Sequence, residues 1–380
     1  MAGPLQGLEV VELAGLGAAP FCGMVLADLG ADVVRVDRAD IVPGAHTDST
    51  RYDLLNRGKQ SIGVELKHPG GIEVVLRLVE SVDALIEGFR PGVTERLGIG
   101  PAVCLAGNPR LVYGRMTGWG QDGPLAARAG HDIDYIALSG ALHPIGPQDR
   151  PLPPLNLVGD FGGGGMLLAV GLLAAILHAR ETGQGQVVDA AMTDGSALLT
   201  TSMHGYLAQG FWTDSREANL LDGGAPFYSV YETADGGHVA VGALEPKFFA
   251  TLLEGLEIPQ GDLPGQDDRD GWPRIRATLA SRFLEKTRDE WAEHFAGLDG
   301  CVVPVLTALE APAHPHNRSR GVFVDIDGVI QPAPGPRFSS TPTSIRAGPT
   351  YPGRDTDRLL ESLCYSRDDV SMLRRVGAVA

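Results

Sequence analysis

Residues 8 to 36 spell one strand–helix–strand unit, and that unit limits what the rest of the chain can fold into more than any other stretch. Leu8 to Leu13 is a short run dominated by valine and leucine, Phe21 to Leu29 has the composition of a buried helix and stops at Gly30, and Asp32 to Val36 reads as a second strand. A helix between two consecutive strands makes them parallel, and a parallel sheet needs helices on both faces. The expected fold class is therefore α/β, with a large doubly wound, Rossmann-like parallel sheet. The loop Gly15-Leu16-Gly17-Ala18-Ala19-Pro20, with Asp37 closing the second strand, is a partial dinucleotide fingerprint. Proline stands where the third glycine is needed for close helix–strand packing, so a nicotinamide cofactor is only weakly indicated.

The pattern continues with a helix over Gly71 to Val82 and strands over Ala84 to Glu87 and Leu111 to Met116. A long helix from about Phe161 to Arg180 stops at Gly183-Gln184-Gly185-Gln186 and leads into a strand over Val187 to Asp189. From Gly195 to Gly224 the sequence is irregular and polar. Phe227 to Glu232 and His238 to Leu244, separated by Asp235-Gly236-Gly237, then read as a hairpin, followed by helices at Pro246 to Gly255, Trp272 to Lys286 and Arg288 to Phe295. Gln331 to Gly353 has linker composition, and helices are expected around Asp357 to Cys364 and Arg367 to Arg375. At 380 residues the chain exceeds one ordinary core. The expected organisation is a large domain over 1–190, a connector over 191–224, a smaller inserted α+β domain over 225–330, a linker over 331–353, and C-terminal helices over 354–380 that rejoin the large domain.

Composition removes whole classes of function. A formal net charge of -16 argues against a nucleic-acid partner, which would need a dominant basic face. The four cysteines, Cys22, Cys104, Cys301 and Cys364, are far apart and form no Cys-x-x-Cys pair, so neither a zinc site nor a disulfide framework is indicated. The most apolar window, Phe161 to Leu177, is short for a bilayer span and is expected to be a buried helix rather than a membrane segment. Met1 to Gly7 lacks the basic-then-apolar pattern of a leader, and the terminal Gly-Ala-Val-Ala is neither a peroxisomal nor a retention address, so a cytoplasmic protein is expected.

Chemistry is concentrated near the middle. His131, in Gly130-His131-Asp132, precedes a helix-periodic stretch (Ile133, Ile136, Ala137), which places it at a helix N-terminus where the dipole favours the uncharged ring. A histidine there is equally suited to a plain hydrogen-bonding role. Asp160 stands where an N-cap would stand before the long helix, a role worth about 0.5–2 kcal/mol. The glycines 162 to 165 that follow cost about 0.8–1.0 kcal/mol each against alanine in a helix, which suggests that something approaches the backbone closely, such as a thioester oxygen gaining charge. Glu245, just before Pro246, is either an acidic helix start or a carboxylate that orients an imidazole. Arg38, Arg51, Arg57, Lys59, Lys67, Arg90 and Arg96 would each read alone as surface charges, but at strand ends and loops they suit a phosphate-bearing nucleotide.

With these residues placed, the chain resembles the family III CoA-transferases, and within them the branch that racemises 2-methylacyl-CoA thioesters. The resemblance runs through Val10-Val11-Glu12-Leu13, Leu29-Gly30-Ala31-Asp32-Val33-Val34-Arg35-Val36-Asp37-Arg38, Arg90-Pro91-Gly92-Val93, Arg115-Met116-Thr117-Gly118-Trp119-Gly120-Gln121, Gly130-His131-Asp132-Ile133-Asp134-Tyr135, Pro154-Leu155-Asn156-Leu157, Leu221-Asp222-Gly223-Gly224-Ala225-Pro226-Phe227-Tyr228 and Val239-Ala240-Val241-Gly242-Ala243-Leu244-Glu245-Pro246. It implies His131 and Asp160 as opposed acid/base groups, Glu245 paired to His131, and an interlocked homodimer. It also implies CoA contacts from Arg38, Val64, Glu65 (through its backbone), Leu66, Lys67, Gly88, Phe89, Arg90, Arg96, Gly130, Asp132 and Tyr135. No metal and no separate cofactor is implied, because the CoA moiety belongs to the substrate. The rival reading is a transferase of the same family, with Asp160 as nucleophile; such members generally lack histidine at the position of His131.

Overall fold

The computed structural model describes residues 3–42, 44 and 48–380. The opening unit is β1 (Glu9–Leu13), α1 (Ala18–Asp28) and β2 (Asp32–Arg38), with α1 starting three residues before the expected Phe21. There follow β3 (Gln60–Val64), α2 (Pro69–Val79), β4 (Ala84–Glu87), α3 (Val93–Leu97), α4 (Pro101–Gly107), β5 (Val112–Thr117) and α5 (Asp132–Leu138). A wide, π-type helical segment, Leu157–Met166, runs directly into α6 (Leu167–Thr182), and β6 (Gln186–Ala191) and α7 (Met192–Leu199) complete this part.

The six strands form one parallel sheet in the order β3-β2-β1-β4-β5-β6, as the opening unit demanded. Side chains alternate across it, so Val10 enters one buried layer with Leu26, Ile86 and Leu168, while Val11 enters the other with Val74, Leu78 and Leu111. The stretch 157–182 is longer than expected and, by length and composition, sufficient to cross a membrane. Leu168, Leu172, Ala175, Ile176 and Ala179 are nevertheless buried against the sheet, whereas Met166, Val170 and Leu177 are exposed.

Contacts divide the chain into two compact units, the first comprising 1–139, 155–199 and 316–380, the second 140–154 and 200–315. The second contains α8 (Thr201–Ala208), β7 (Tyr228–Glu232), β8 (His238–Gly242), α9 (Pro246–Gly255), α10 (Trp272–Phe283), α11 (Arg288–Phe295) and β9 (Val302–Pro304). Its antiparallel sheet, β7-β8-β9, shares an aromatic core of Phe227, Phe249, Trp272, Phe283, Trp291 and Phe295 with the three later helices. The polar stretch after Gly195 was expected to be irregular but contains the end of α7 and all of α8. Within α7, a Cβ on Gly195 would lie 1.8 Å from the Gly163 carbonyl oxygen, so two glycines let α7 touch the π-type segment.

After α12 (Pro315–Arg320), β10 (Phe323–Ile326) and β11 (Val329–Pro332) form a hairpin, where the linker was expected to begin. Gln331 is buried and accepts a 2.9 Å hydrogen bond from Arg57. Leu359 of α13 (Thr356–Ser362) and Leu373 of α14 (Arg367–Arg375) pack into the Val11 layer of the sheet.

Candidate active site

The order of the sheet reverses direction between β1 and β4. Open α/β sheets bind ligands at this switch point. A cavity of ≈ 390 Å³ occupies it. Its walls come from Leu16–Ala19 after β1, Gly88–Pro91 after β4, Met116–Trp119 at the end of β5, and the loop that leads to α5. His131 and Asp160 both line it.

His131 occupies the N-cap position of α5, as the spacing predicted, with its backbone N–H donating 2.9 Å to the Asp134 carboxylate. The approach to it is tied back onto the helix. Tyr135, one turn on, donates its hydroxyl back to the Gly130 carbonyl and sets its ring edge-on to Trp119 at 4.8 Å between centroids. Asp160, by contrast, is no N-cap. Helical winding already begins at Leu157, and the Asp160 backbone N–H donates 2.6 Å to the Asp132 carboxylate. The Asp160 side chain accepts 3.2 Å from the Asn156 amide and lies against Gly17, where φ is 66° and a Cβ would stand 2.7 Å from Oδ2. Burial pushes the Asp160 carboxyl above its ordinary range, and the charge of Asp132 pushes the same way; the Asn156 hydrogen bond and the charge of His131 oppose them. A carboxyl inclined to hold its proton and an imidazole thus border one small space.

The glycine run after Asp160 serves packing rather than an incoming anion. A Cβ on Gly163 would lie 2.6 Å from the Ser196 nitrogen, and one on Gly165 2.7 Å from the Ala18 carbonyl oxygen, so the close approach comes from α7 and α1. Free helix-terminal N–H groups exist elsewhere. The first turn of α1 carries no side-chain cap, and Ala18 and Ala19 border the cavity.

The family described as CoA-transferase family III matches residues 5–356. This chain belongs to it. Human alpha-methylacyl-CoA racemase is 45% identical to it over 97% of this chain and 96% of that protein. Human succinyl-CoA:glutarate CoA-transferase is 28% identical over 99% and 90%. Among solved structures, a CaiB/BaiF family protein from Brucella suis superposes with a TM-score of 0.81 at 26% identity, covering 96% of this chain and all of that one (100%). Rv3272 from M. tuberculosis gives 0.75 at 26% identity over 94% and 99%.

The residues that the family III resemblance assigned to CoA separate into two groups. Gly88, Phe89, Arg90, Gly130 and Tyr135 line the cavity. Arg38, Val64, Glu65, Leu66, Lys67, Arg96 and Asp132 do not. Arg38 is exposed and paired with Asp40. Val64 is fully buried and bridges to Val379, and Leu66 packs on the core. The Glu65 backbone, expected to serve the nucleotide, is engaged within the chain: its N–H donates to Ala378 and its carbonyl accepts from His68, each at 3.0 Å. Lys67 and Arg96 are exposed. Two further cations expected near phosphate are structural instead: Lys59 is bonded to Glu12 at 2.7 Å, and Arg57 to Asp28 and Gln331. Glu245 lies in the second unit, exposed, directly before α9 and without a capping bond.

Sequence reasoning missed Arg128 and Trp119 as cavity residues, and Met192 lines the space as well. Arg128 carried a signal, a cation two positions before Gly130. Trp119 and Met192 carried none, since an apolar residue at a strand end or helix start reads the same whether it faces core or cavity. Among the described residues no group of three or more His, Cys, Asp or Glu side chains is arranged to hold a metal ion.

Proposed function

We propose that this family III protein interconverts the epimers of 2-methylacyl-CoA thioesters by moving one proton off the α-carbon and another onto its opposite face. Two observations support the reading together. His131 and Asp160 border the same cavity, and a racemase is 45% identical to the chain over almost its whole length.

A thioester carbonyl acidifies the adjacent C–H, because the electron pair left behind passes to the carbonyl oxygen as an enolate. In one direction His131 takes the α-proton and Asp160, protonated, delivers its own to the other face; in the reverse direction the roles exchange. The raised affinity of Asp160 for a proton suits both tasks, since a carboxyl at its ordinary value would seldom carry a proton to give near neutral pH. The enolate oxygen is served by the N–H groups at the start of α1, which carries no side-chain cap and borders the cavity. Arg90, together with Gly88 and Phe89, is assigned to the CoA portion; all three line the cavity. Glu245 is assigned to orient the His131 ring across the joint of a homodimer, and the compartment is assigned as cytoplasmic. The reaction as written needs no metal and no cofactor beyond the CoA of the substrate.

The family match also keeps a second reading in view, in which Asp160 attacks the thioester and forms an anhydride on the way to CoA transfer. One experiment separates the two. A single 2-methylacyl-CoA epimer in deuterated water, with no second acid present, is followed by NMR at the α-position. Exchange accompanied by epimerisation is the expected result. Exchange that waits for an acceptor acid would turn the assignment to the transferase, and its absence under all conditions would leave a CoA-ester binder.

A further inference from the structure

We propose that Asp132 is a positioning residue for this proton transfer, its carboxylate tying the segment that carries Asp160 to the start of the helix that carries His131. The inference rests on the reaction proposed above but on a separate set of contacts. Asp132 is only 7% exposed and does not line the cavity, so it is poorly placed to meet CoA, the role expected from resemblance. Its Oδ2 accepts the Asp160 backbone N–H at 2.6 Å. Its covalent neighbour is His131. One bonded step and one short hydrogen bond therefore connect the two reacting groups, which lie 29 positions apart in the chain.

The surroundings are shaped around this brace. Gly159 precedes Asp160, and a Cβ there would stand 2.4 Å from Asp132 Oδ2, so a larger residue would push the carboxylate out of reach. On the other side Asp134 accepts the His131 backbone N–H, and the Tyr135 hydroxyl holds Gly130, so the helix start is fixed on the His131 side as well. The other oxygen of Asp132, Oδ1, is buried and has no hydrogen-bond partner among the described residues. Such a group is retained at a cost, and one bond to a backbone that carries a reacting carboxyl accounts for keeping it. The charges that act on Asp160 are those of Asp132 and His131, both at the start of α5, while Asp160 in turn raises the Tyr135 hydroxyl; Asn156 from its own segment and Gly17 from the start of α1 are uncharged. Of these, only Asp132 bonds to the Asp160 backbone.

Asp132→Ala and Asp132→Asn are compared with the parent protein using a 2-methylacyl-CoA epimer in deuterated water. Removing the brace should lower kcat roughly 10- to 100-fold, the scale of a small misplacement of reacting groups, while KM moves little. Deuterium incorporation should then outrun inversion, because His131 and Asp160 no longer face the carbon together. Asparagine keeps an oxygen for the Asp160 N–H, so Asp132→Asn should hold incorporation and inversion together. It should also move the acidic limb of the direction in which Asp160 accepts the proton to lower pH, since a neighbouring negative charge is gone. An unshifted limb in Asp132→Asn would overturn the proposal even if the alanine variant fails to fold. So would parent-like coupling of exchange and inversion in Asp132→Ala, or a tenfold rise in KM with kcat retained, which would return Asp132 to CoA binding. Amide hydrogen exchange at Asp160 needs no substrate and tests the brace independently of the reaction. Protection in the parent and its loss in Asp132→Ala are expected; protection retained in Asp132→Ala refutes the brace whatever the protein catalyses.

Discussion

The interior of the parallel sheet and the cavity at its carboxyl edge treat charge in opposite ways. Inside, cations are matched. Lys59 and Glu12 are both fully buried and 2.7 Å apart, with the Lys59 ammonium also on the Pro20 carbonyl and Asn56. Arg57 pairs with Asp28, Arg35 with Asp37, and Arg115 with both Glu87 and Glu95. At the edge, His131, Asp160, Arg90 and Arg128 share one cavity and, among the described residues, none has an oppositely charged partner within 4.0 Å. The same kinds of side chain thus hold the structure together where they are matched and remain available for a ligand where they are not.

The largest effect should come from unbalancing the interior. Lys59→Met leaves Glu12 without its partner where burial already raises the glutamate and lowers the lysine, so about 3–5 kcal/mol of stability should be lost. Urea denaturation would measure it, and a loss under 1 kcal/mol would mean that the Glu12 carboxyl finds another partner or water once the lysine is gone. At the edge, His131→Ala and Asp160→Asn should each lower turnover by about two orders of magnitude with the fold intact. Parent-like rates in both would remove these groups from the reaction. Arg90→Ala should weaken CoA binding about tenfold, with turnover at saturation retained and the difference shrinking as salt is raised. Titration calorimetry at two ionic strengths tests this, and an unchanged affinity would put the nucleotide elsewhere.

The smallest effect has the opposite sign. Because the folded state raises the affinity of Asp160 for its proton, this group's contribution to stability is fully present below the unfolded value and is lost as pH rises through the folded one. Asp160→Asn should therefore melt slightly higher than the parent near pH 7 to 8, by less than about 1 kcal/mol since the carboxyl is only half buried and partly screened, and the gain should fade toward pH 4. A variant less stable than the parent at neutral pH would show that the carboxylate is welcomed rather than tolerated in the cavity.

Much of the fold was legible because it depends on local pattern. The β1–α1–β2 unit, the strand over Ala84 to Glu87, and the helices at Pro246–Gly255, Arg288–Phe295 and Arg367–Arg375 appear where periodicity and punctuation placed them. His131 at a helix start was legible for the same reason. The readings that failed share a cause. The glycines 162 to 165 read as room for an approaching thioester oxygen and Gly195 as the start of an irregular stretch, yet they mark places where helices touch; Gln331 reads as linker, yet it is buried against Arg57. Arg57 and Lys59 looked available to phosphate, and their acidic partners lie 29 and 47 positions away along the chain. No local window contains both members of such a pair.

The order of residues alone settled that strands joined by a helix would be parallel, that a histidine would open a helix in mid-chain, and that a carboxylate would precede a run of glycines in a helix, since each follows from the preferences of neighbouring residues. Only the folded chain decided which charges cancel and which stay available, that Asp160 is held by its backbone rather than capping a helix, and that it shares a cavity with His131. Those outcomes depend on distance through space, and burial sets the energy of a charge according to what surrounds it there.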